Sequence, residues 1–578
     1  MASPRACRSL AMVLGMLIAC VHAQGPSSYN CRMAGEAANS ACGLPYALSN
    51  FQGNFACDSE VLVGRPKDIG ELQTLVESFP KVKANGVGGS WWKQNFCAGN
   101  DSQSINIVMT ELQTTLDSIL SPPNPEQWRG AKPPSTFPIQ VDEQSRTVTV
   151  AAGVPQRVLL DYLSEYRHGT QPAGWTLPAF SWFIDQTIGG AVVEIAAVLA
   201  NGTLATFSAA SDPHLFKAFG VSAGRLGIIV KLKMTIIPQQ AISRSKQDLT
   251  LARFADQVTA TQEAYKAAKA AKDNLAVQKA LFSVHETQAL WLVERDTLWR
   301  VDYQHLFKEP EEVLENLNFS MDPTMHSFSG PNDQTVFAQA TKAPLRANAA
   351  MTTNPAYWGV VYSAGAQTYV RPGTFETRKA YMSVTEATTR ISTTLAPYIQ
   401  MEVAIPLEIA GTCLKEVNKV VYGRGSQVSR DFRNPALIRF VSGEPFYLSP
   451  THGGPRMYVN IEDWLTLSGT PNKGYDQVLK TFRGPKCQGR LHWGKGGWPE
   501  YASCFDGATE YPDSWCHFGC AVQTLDPYAK FEGVGADRTA VWTWNATRNG
   551  TVVPFDTCCT DTGFSPECTC ASRTDCHA

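Results

Sequence analysis

A glycine-rich stretch at residues 85–92 is the feature that most constrains how this chain can fold. It reads Asn-Gly-Val-Gly-Gly-Ser-Trp-Trp and follows an apolar, strand-like segment that begins at Val82. Glycine has no Cβ atom, so a glycine-rich backbone can turn tightly and approach a ligand closely. Successive backbone N–H groups in such a turn form a concave site for anions. The stretch is therefore either an ordinary turn or a loop that holds the diphosphate of a large cofactor.

Length and charge restrict the class of protein. A chain of 578 residues is too long for a single core, so two or three domains are expected. Apolar residues make up 44% and charged residues 18%, which is typical of a soluble globular protein. The formal net charge is −2, without a basic excess. This balance predicts no nucleic-acid partner.

The first 23 residues have the layout of a secretory signal peptide. Arg5 and Arg8 precede an apolar run at 10–20, and Ala23 offers a small residue for cleavage. A membrane anchor is the alternative, but the run is too short to span a bilayer, and no later segment is apolar for long enough. We therefore expect a mature chain that begins near Gln24, is secreted or lies in the endomembrane lumen, and has no transmembrane anchor.

Two further features favour an oxidising, secretory environment. The chain has 16 cysteines, which such an environment would mainly convert to disulfides. A zinc site that includes Cys516, His517 and Cys520 is the alternative for part of this set, and disulfides are favoured over it. Asn-x-Ser/Thr glycosylation acceptors occur at Asn100, Asn201, Asn318, Asn545 and Asn549.

The periodicity of apolar residues predicts a mixed α and β beginning. Strands are predicted at 61–63, 82–87 and 104–109, with a helix capped by Asp68 between the first two. A hairpin is predicted around the turn at Asn201 and Gly202. Further predicted elements are strands at 147–150, 228–234, 436–440 and 457–461, a helix at 214–219, and a helical stretch at 247–282.

Several motifs in this order resemble the flavin oxidases of the vanillyl-alcohol-oxidase type. They are the strand and helix at 61–79, the glycine loop at 86–91, Thr-Ile-Gly-Gly-Ala-Val at 187–192, and Gly-Arg-Leu-Gly-Ile-Ile at 224–229. Near the end, Arg-Leu-His-Trp-Gly-Lys at 490–495 is similar to the His-Trp-Gly/Ala-Lys signature of the aldonolactone oxidase branch. That branch includes L-gulonolactone oxidase and D-arabinono-1,4-lactone oxidase.

The resemblance implies an α+β flavoprotein of two domains with a Cys-rich C-terminal extension. The matching motifs are dense over about 57–240, thinner over 241–480, and place the tail outside the resemblance. The implied organisation is a signal peptide (1–23), a disulfide-tied leader (24–56), an FAD-binding domain (57–240), a substrate or cap domain (241–500) and a Cys-rich tail of mostly loop character (501–578).

The function that the resemblance implies is oxidation of a hydroxyl carbon of an aldono-1,4-lactone, as in ascorbate-type biosynthesis. A hydride passes to the flavin of FAD, and oxygen or another electron acceptor reoxidises the cofactor. Several family members carry the flavin covalently on a histidine at the position of Gly89. Because glycine offers no such link, we expect non-covalent FAD. No metal is expected.

The resemblance also assigns site residues. Arg439 would stabilise charge near flavin and substrate, His492 would bind the substrate or act as an acid or base near neutral pH, and Lys495 would place positive charge near the flavin. FAD would contact Gly86, Val87, Gly88, Gly89, Ser90 and Trp91 at the diphosphate, Thr187, Ile188, Gly189, Gly190, Ala191 and Val192 at the ring and ribityl chain, and Gly224, Gly227, Ile228 and Ile229 along the adenosine.

Two departures from the family pattern bear on catalysis. A glutamate commonly found two residues before the arginine is Leu437 here, with Glu402, Glu408 or Glu444 as candidate replacements. A Gly-, His- and Ser-rich segment that normally follows the 187–192 motif is missing, so that Val192 runs directly into the next strand. Two alternatives therefore stay open: a secreted, disulfide-rich glycoprotein with a degenerate flavoprotein fold and no catalysis, and a related carbohydrate oxidase.

Overall fold

A computed structural model describes most of the chain after residue 60. The signal peptide, nearly all of the leader, and Val87, Gly88, Gly89 and Thr187 lie outside the described residues, as do Asn100 and Asn318. The described residues are 61–86, 90–99, 101–109, 137–154, 174–178, 188–239, 241–284, 286–306, 372–376, 398–432, 436–464, 472–533 and 541–573, with Leu48, Cys57, Leu112, Leu159, Leu160, Tyr162 and Leu163.

The strands are numbered in chain order. They are β1 (Leu62–Gly64), β2 (Lys81–Asn85), β3 (Ser104–Val108), β4 (Ile139–Asp142), β5 (Thr147–Ala151), β6 (Trp175–Thr176), β7 (Val192–Val198), β8 (Leu204–Ser208), β9 (Ile228–Thr235), β10 (Ile237–Pro238), β11 (Ala241–Leu249), β12 (Thr287–Leu292), β13 (Thr297–Leu306), β14 (Gly373–Glu376), β15 (Tyr398–Pro406), β16 (Ala436–Val441), β17 (Arg456–Trp464), β18 (Arg490–Leu491), β19 (Asn545–Arg548), β20 (Thr551–Val553), β21 (Cys559–Thr560), β22 (Gly563–Phe564) and β23 (Thr569–Ala571).

The α-helices are numbered in the same way. They are α1 (Ile69–Ser78), α2 (Lys93–Phe96), α3 (Ile188–Ala191), α4 (Pro213–Gly220), α5 (Leu251–Ala270), α6 (Asn274–Phe282), α7 (Ala410–Tyr422), α8 (Lys473–Arg483), α9 (Trp498–Tyr501), α10 (Gly507–Glu510) and α11 (Trp515–Leu525). Short 3₁₀ helices lie at Val293–Arg295, Leu407–Ile409, Val428–Asp431, Ala502–Cys504 and Phe555–Cys558.

A small parallel sheet carries the start of the glycine loop. Its strand order is β1-β3-β2, and α1 connects β1 to β2. Asp68 caps α1 as predicted, because its Oδ1 accepts a hydrogen bond from the backbone N–H of Glu71 at 2.9 Å. Leu72 and Leu75 are buried on the side of α1 that packs in the core. The loop follows directly after β2, at the end of a buried strand.

A five-stranded antiparallel sheet closes without the missing segment. Its order is β4-β5-β9-β7-β8. Val192 begins β7 directly after α3 and pairs with Met234 of β9. The predicted hairpin is confirmed: β7 and β8 are paired, and Gly202 takes the left-handed conformation in the turn with φ of +81°.

The largest sheet has eight antiparallel strands in the order β14-β11-β13-β12-β16-β17-β15-β18. Successive side chains along each strand point to opposite faces of this sheet. One face is apolar, is buried in the main core and is covered by α5, α7 and α8; residues of this kind include Met401, Val403, Ile438, Val459 and Ile461. The opposite face carries polar and charged side chains. Burial of the first face fixes the register and therefore the arrangement of the second.

The tail after residue 500 is more ordered than the predicted loop. It contains the 11-residue helix α11, whose Trp515 and Phe518 are buried in the same core as the large sheet. The prediction was wrong because the abundant cysteines, glycines and prolines hid the apolar side chains that attach the helix to this core. The tail is thus packed onto the eight-stranded sheet.

Disulfides account for most of the described cysteines. The bonded pairs are Cys57–Cys97, Cys413–Cys487, Cys516–Cys570, Cys520–Cys559 and Cys558–Cys568, and Cys504 is free and exposed. The zinc alternative is wrong, because its two cysteines are both used in disulfides. Among the described residues there is no cluster of three metal-ligating side chains.

No helix in the described ranges is both long enough and apolar enough to cross a membrane.

Candidate functional site

The polar face of the eight-stranded sheet brings together side chains from three neighbouring strands. Glu402 of β15 lies opposite Asn460 of β17, and Gln400 lies opposite Glu462. Arg439 of β16 lies opposite Tyr458, which shares its face of β17 with Asn460. Directly opposed residues of antiparallel strands share a face. These side chains therefore belong to one continuous polar surface, which we call the charged cluster together with His492 and Lys495.

An ion pair between Arg439 and Glu402 occupies the middle of the charged cluster. Arg439 Nη2 and Nε donate to Glu402 Oε1 at 2.6 and 2.9 Å. The guanidinium also lies 4.6 Å from the ring centroid of Tyr458, a cation–π distance. Burial acts to raise the pKa of Glu402, but Arg439, His492 and Lys495 outweigh it and hold that pKa below its ordinary value. Glu402 is therefore ionised at neutral pH and fixes the guanidinium in place.

The two other predicted catalytic residues flank Trp493 beside this ion pair. The backbone N–H of His492 donates to the backbone carbonyl oxygen of Glu402 at 3.0 Å. Burial lowers the pKa of His492 to about 4, with Lys495 and Arg439 acting in the same direction. His492 is consequently neutral at neutral pH, and the expectation that it titrates near neutrality is wrong. Its ring remains a hydrogen-bonding group.

Lys495 and Glu462 are linked through an amide. Lys495 Nζ donates to Gln400 Oε1 at 2.7 Å, and Gln400 Nε2 donates to Glu462 Oε1 at 2.6 Å. Burial, and more weakly the nearby carboxylate Glu402, raise the pKa of Glu462 to about 7, although Lys495 acts to lower it. Burial also lowers the pKa of Lys495. The chain of hydrogen bonds thus joins a cation to a carboxyl that titrates near neutral pH.

The structure distinguishes among the three glutamates that were considered as replacements for the one lost at Leu437. Glu402 contacts Arg439 directly. Glu408 instead pairs with Lys269 at 2.7 Å, where both side chains are partly exposed. Glu444 accepts a hydrogen bond from the Ser449 hydroxyl, and burial raises the pKa of its carboxyl. Glu402 is therefore the carboxylate that partners the arginine.

A cavity of about 240 Å³ lies between the glycine loop and the His-Trp-Gly-Lys motif. Four of the predicted cofactor-binding residues line it: Ser90, Gly224, Gly227 and Ile228. The complete lining is Lys83, Ala84, Ser90, Asn95, Ala223, Gly224, Gly227, Ile228, Trp493, Gly494 and Phe531.

Direct contacts join the glycine loop to the C-terminal motif. The Trp91 N–H donates to the Gly494 carbonyl at 3.1 Å, and Asn95 Nδ2 donates to the Trp493 carbonyl at 3.0 Å. Trp92 stacks on Trp498 with ring centroids 4.8 Å apart. One wall of the cavity is therefore physically continuous with the backbone that carries His492 and Lys495 of the charged cluster.

Among its described lining residues, the cavity offers a ligand one cation, Lys83, and one unpaired hydrogen-bond acceptor, Asn95 Oδ1. The buried Lys83 directs its ammonium to the carbonyls of Phe531 and Gly224, at 2.8 and 3.2 Å. Asn95 Oδ1 is buried and has no hydrogen-bond partner in the described part of the chain. At Gly227 a Cβ atom would lie 2.8 Å from the carbonyl oxygen of Val198, so only glycine allows the two backbone segments to approach this closely. The volume is below the range of about 300–1,000 Å³ typical of pockets for whole ligands. The cavity fits part of a dinucleotide.

Other predicted cofactor residues lie away from this cavity. Gly86 is exposed at the end of β2, and Ile229 pairs with Ala197 inside the five-stranded sheet. Gly189 packs on the loop between β16 and β17, because a Cβ atom there would lie 2.9 Å from both Glu444 Oε1 and the Phe446 ring. Gly190, Ala191 and Val192 continue from that turn into β7. The 188–192 motif therefore meets the loop between β16 and β17.

Several side chains at the site were not predicted from the sequence. Gln400 and Glu462 each belong to strands in which polar residues alternate with buried apolar ones, and this alternation was the available signal. Lys83 and Asn95 flank the glycine loop closely enough in sequence to have been considered with it. Phe531 comes from the tail, and no local pattern points to it.

Residues 369–539 match the model of the D-arabinono-1,4-lactone oxidase family. Among solved structures, cholesterol oxidase from Brevibacterium sterolicum superposes with a TM-score of 0.57 at 13% identity, covering 87% of this chain and 97% of that one. A solvent-stable cholesterol oxidase gives 0.55 at 15% identity, covering 86% and 98%. Xylooligosaccharide oxidase from Myceliophthora thermophila C1 gives 0.50 at 12% identity, covering 84% and 93%. None of the curated protein sequences compared with the chain matches it.

The chain has the fold of these flavoprotein oxidases, and its residues 369–539 are similar to the aldonolactone oxidase family. The predicted resemblance and the α+β fold are confirmed, and the aldonolactone oxidase region contains the charged cluster, Trp493 and Phe531. The family and the fold imply FAD as the cofactor. The family match extends to residue 539, past the predicted start of the tail at residue 501.

Proposed function

We propose that this flavoprotein oxidises a hydroxyl carbon of an aldono-1,4-lactone of the L-gulonolactone or D-arabinono-1,4-lactone type. The observation that carries the proposal is the charged cluster. Arg439, Glu402 and Lys495 are grouped in this cluster. The carbonyl of Gly494, the residue before Lys495, accepts a hydrogen bond from Trp91 of the glycine loop. A polyhydroxylated, neutral substrate is suited to such a surface, which offers both donors and acceptors.

FAD, when bound, supplies the acceptor for a hydride, and oxygen or another acceptor takes the electrons onward. The protein's own residues bind and orient. Lys83 and Ser90 would face the phosphate-bearing part of the cofactor in the cavity, and Asn95 Oδ1 would accept a hydrogen bond from a hydroxyl or amino group of the cofactor. Arg439, oriented by Glu402, would hold a substrate oxygen as charge develops on it. Lys495 would stabilise negative charge on the cofactor as it is reduced.

An absorbance spectrum of the purified protein is the first test. We expect the bands of oxidised flavin, and their bleaching under anaerobic conditions by L-gulono-, L-galactono- or D-arabinono-1,4-lactone. Flavin that none of the three lactones bleaches would contradict the lactone assignment. A protein that binds no FAD on reconstitution would instead support a degenerate flavoprotein fold, for which the missing segment after Val192 is the main argument.

A related carbohydrate oxidase is the second candidate. It is favoured by Leu437, which replaces the carboxylate expected beside the family arginine and leaves an apolar side chain opposite Asn460. A different set of substrate hydroxyls would suit this change. Bleaching by free mono- or oligosaccharides, with no response to the lactones, would decide for this candidate.

We further propose that FAD is bound without a covalent link, because Gly89 stands where other members carry a linked histidine. Precipitation with acid should release the flavin into the supernatant. Flavin that stays with the precipitated protein would contradict this proposal.

Secretion or residence in the endomembrane lumen is likewise our proposal. It rests on the N-terminal signal-like sequence and the glycosylation acceptors. Asn201 lies at the exposed β7–β8 turn and Asn549 at the exposed β19–β20 turn, where an oligosaccharide has room. A mobility shift on enzymatic deglycosylation of the protein from its native host is expected.

A further inference from the structure

Glu462 is a carboxyl group on the polar sheet face that no family motif assigns. It lies on β17, two residues beyond Asn460, and pairs across the sheet with Gln400. The side chain is partly exposed, whereas the alternate residues Val459 and Ile461 are buried on the opposite face. Glu462 thus projects from the same surface as Arg439 and Glu402.

The position of Glu462 complements the carboxylate that is absent at Leu437. Leu437 is paired with Asn460, and Glu462 is the next residue of β17 on the same face. Two residues along a strand correspond to about 6.6 Å. The sheet therefore keeps a second carboxyl beside the Glu402–Arg439 pair, but displaced by one step along the neighbouring strand, towards Lys495.

The hydrogen bonds of Glu462 leave capacity for another partner. Its Oε1 accepts from Gln400 Nε2 at 2.6 Å, and the carbonyl end of the same amide accepts from Lys495 Nζ at 2.7 Å. A carboxyl group has two oxygens and about four acceptor positions. Gln400 therefore orients Glu462 without saturating it, which is the arrangement required of a group that receives a proton from a bound substrate.

We propose that Glu462 is the proton acceptor for the substrate hydroxyl in the oxidation. This inference rests on the proposed function. The substrate carbon is oxidised as its C–H bond breaks and the hydride reduces the flavin cofactor. The O–H bond of the same carbon breaks, its electron pair forms the carbonyl, and the proton passes to a carboxylate oxygen of Glu462. The product is a ketone, and Glu462 is left as a carboxylic acid that returns its proton to solvent.

The surrounding charges suit this role. The ionisable groups that face Glu462 are Lys495 and Glu402, and beyond them lie Arg439, His492 and Tyr458. The pKa of Glu402 lies below its ordinary value and that of His492 is about 4, so each is a weaker base than Glu462 at neutral pH. With a pKa of about 7, Glu462 is both substantially ionised and basic enough to accept a proton.

The kinetic test compares three variants in the FAD-loaded protein. Glu462→Gln keeps size and hydrogen bonding but removes the base, Glu462→Asp keeps a shorter carboxyl, and Glu408→Gln is the matched control, since Glu408 pairs with Lys269 away from the cluster. Anaerobic flavin reduction is followed by stopped flow between pH 5 and 9, with the sugar lactone that bleaches the wild type. We expect Glu462→Gln to slow reduction by about 10²- to 10⁴-fold and to lose the rise in rate near pH 7. Glu462→Asp should keep that rise.

A second measurement needs neither cofactor nor substrate. The folded-state pKa of Glu462 lies above its ordinary value of 4.5, so the stability linked to its protonation is lost as pH rises from about 4.5 through 7. Relative to the wild type, Glu462→Gln should therefore become progressively more stable to urea between pH 5 and 8, and Glu408→Gln should not.

The outcomes separate the two levels of proposal. If no lactone or sugar bleaches wild-type flavin, the proposed function fails, while the urea experiment still reports on the titration of Glu462. If the wild type is bleached and Glu462→Gln reduces with the same rate and pH profile, the assignment of Glu462 is overturned. A slower variant with an unchanged pH profile, or a stability difference independent of pH, also overturns it.

Discussion

Arg439 shows how much one side chain depends on its partner. The guanidinium is held by two hydrogen bonds to Glu402, whose side chain is only 3% exposed. Removing one member of a buried ion pair leaves the other charge desolvated, which typically costs about 3–5 kcal/mol. The arginine therefore contributes to the stability of the sheet and to the electrostatics of the polar face at the same time.

We expect Arg439→Ala to slow anaerobic flavin reduction by about 10²- to 10³-fold, a loss like that of one oxyanion-binding donor, and to lower the free energy of unfolding. Because lysine cannot reproduce the bidentate geometry, Arg439→Lys should restore stability more than rate. Stopped-flow reduction and urea unfolding measure the two effects. A reduction rate equal to that of the wild type would show that Arg439 lies outside the reacting region.

His492 leads to a pH prediction of opposite sign to that of Glu462. Its folded-state pKa of about 4 lies below the ordinary 6.5, so the unfolded chain binds a proton that the folded protein excludes. The contribution to stability is complete above pH 6.5 and is lost as pH falls towards 4. Urea unfolding between pH 7 and 5 should therefore depend less on pH in His492→Gln than in the wild type. Equal slopes would contradict the neutral assignment.

Among individual residues, sequence motifs predicted Arg439, His492 and Lys495, and the structure places all three in one cluster. Glu402 was one of three candidate partners for the arginine. The pairing of β15 and β16 with β17 brings it to Arg439, whereas Glu408 lies beyond the end of β15. Gln400 and Glu462 were missed because their proximity depends on cross-strand pairing over about 60 residues. Local sequence carries no such information.

The loop after α11 contributes Phe531 to the wall of the cavity. Asp526 forms a buried ion pair with Arg225, and its two oxygens accept the backbone N–H groups of Lys530 and Phe531. Phe531 in turn accepts from Lys83. The conformation of this loop is thus coupled to the glycine turn at 224–227 and to strand β2.

Replacing Lys83 on strand β2 is expected to weaken FAD binding. Replacing it by methionine removes a cation from the cavity while keeping a similar length. The ammonium of Lys83 donates to backbone carbonyls of the cavity wall, so the variant loses both its charge near the phosphates and these wall contacts. A charge-assisted hydrogen bond contributes about 1.5–3 kcal/mol, and with a loss of this order the Kd for FAD should rise by roughly ten- to a hundredfold. Titration of FAD fluorescence against the apoprotein measures this.

The control for that titration is Lys231→Met, because Lys231 is an exposed lysine on β9. Its affinity for FAD should equal that of the wild type. Equal affinities for all three proteins would place the phosphate groups away from Lys83.

At the scale of the whole molecule, strand and helix positions through the first 240 residues followed from periodicity and capping, as β5, β9 and α1 illustrate. The tail did not, because Trp515, Phe518 and Trp542 contact residues distant in sequence. Its stacked aromatic rings extend from Trp493 through Trp542 to Trp515, with centroid separations of 5.2 and 5.9 Å. The tail is consequently part of the same hydrophobic core as the eight-stranded sheet.

Disulfides should therefore influence the stability of the entire protein. We expect the double variant Cys516→Ser with Cys570→Ser to lose on the order of 2–5 kcal/mol and to unfold at a lower temperature, as judged by calorimetry. Cys504→Ser provides the control, since Cys504 is exposed and unbonded. A double variant with the melting temperature of the control would mean that the tail unfolds independently of the core.

The hydrogen bond from Lys83 to Phe531 joins residues 448 positions apart in the chain. The wall that contains Lys83 is consequently synthesised early in translation, and the wall that contains Phe531 is synthesised late. A ribosome-bound nascent chain that stops before residue 531 lacks one wall, even when the glycine loop has already emerged. We therefore expect truncations that remove residue 531 to yield apoprotein, however well their first 240 residues fold.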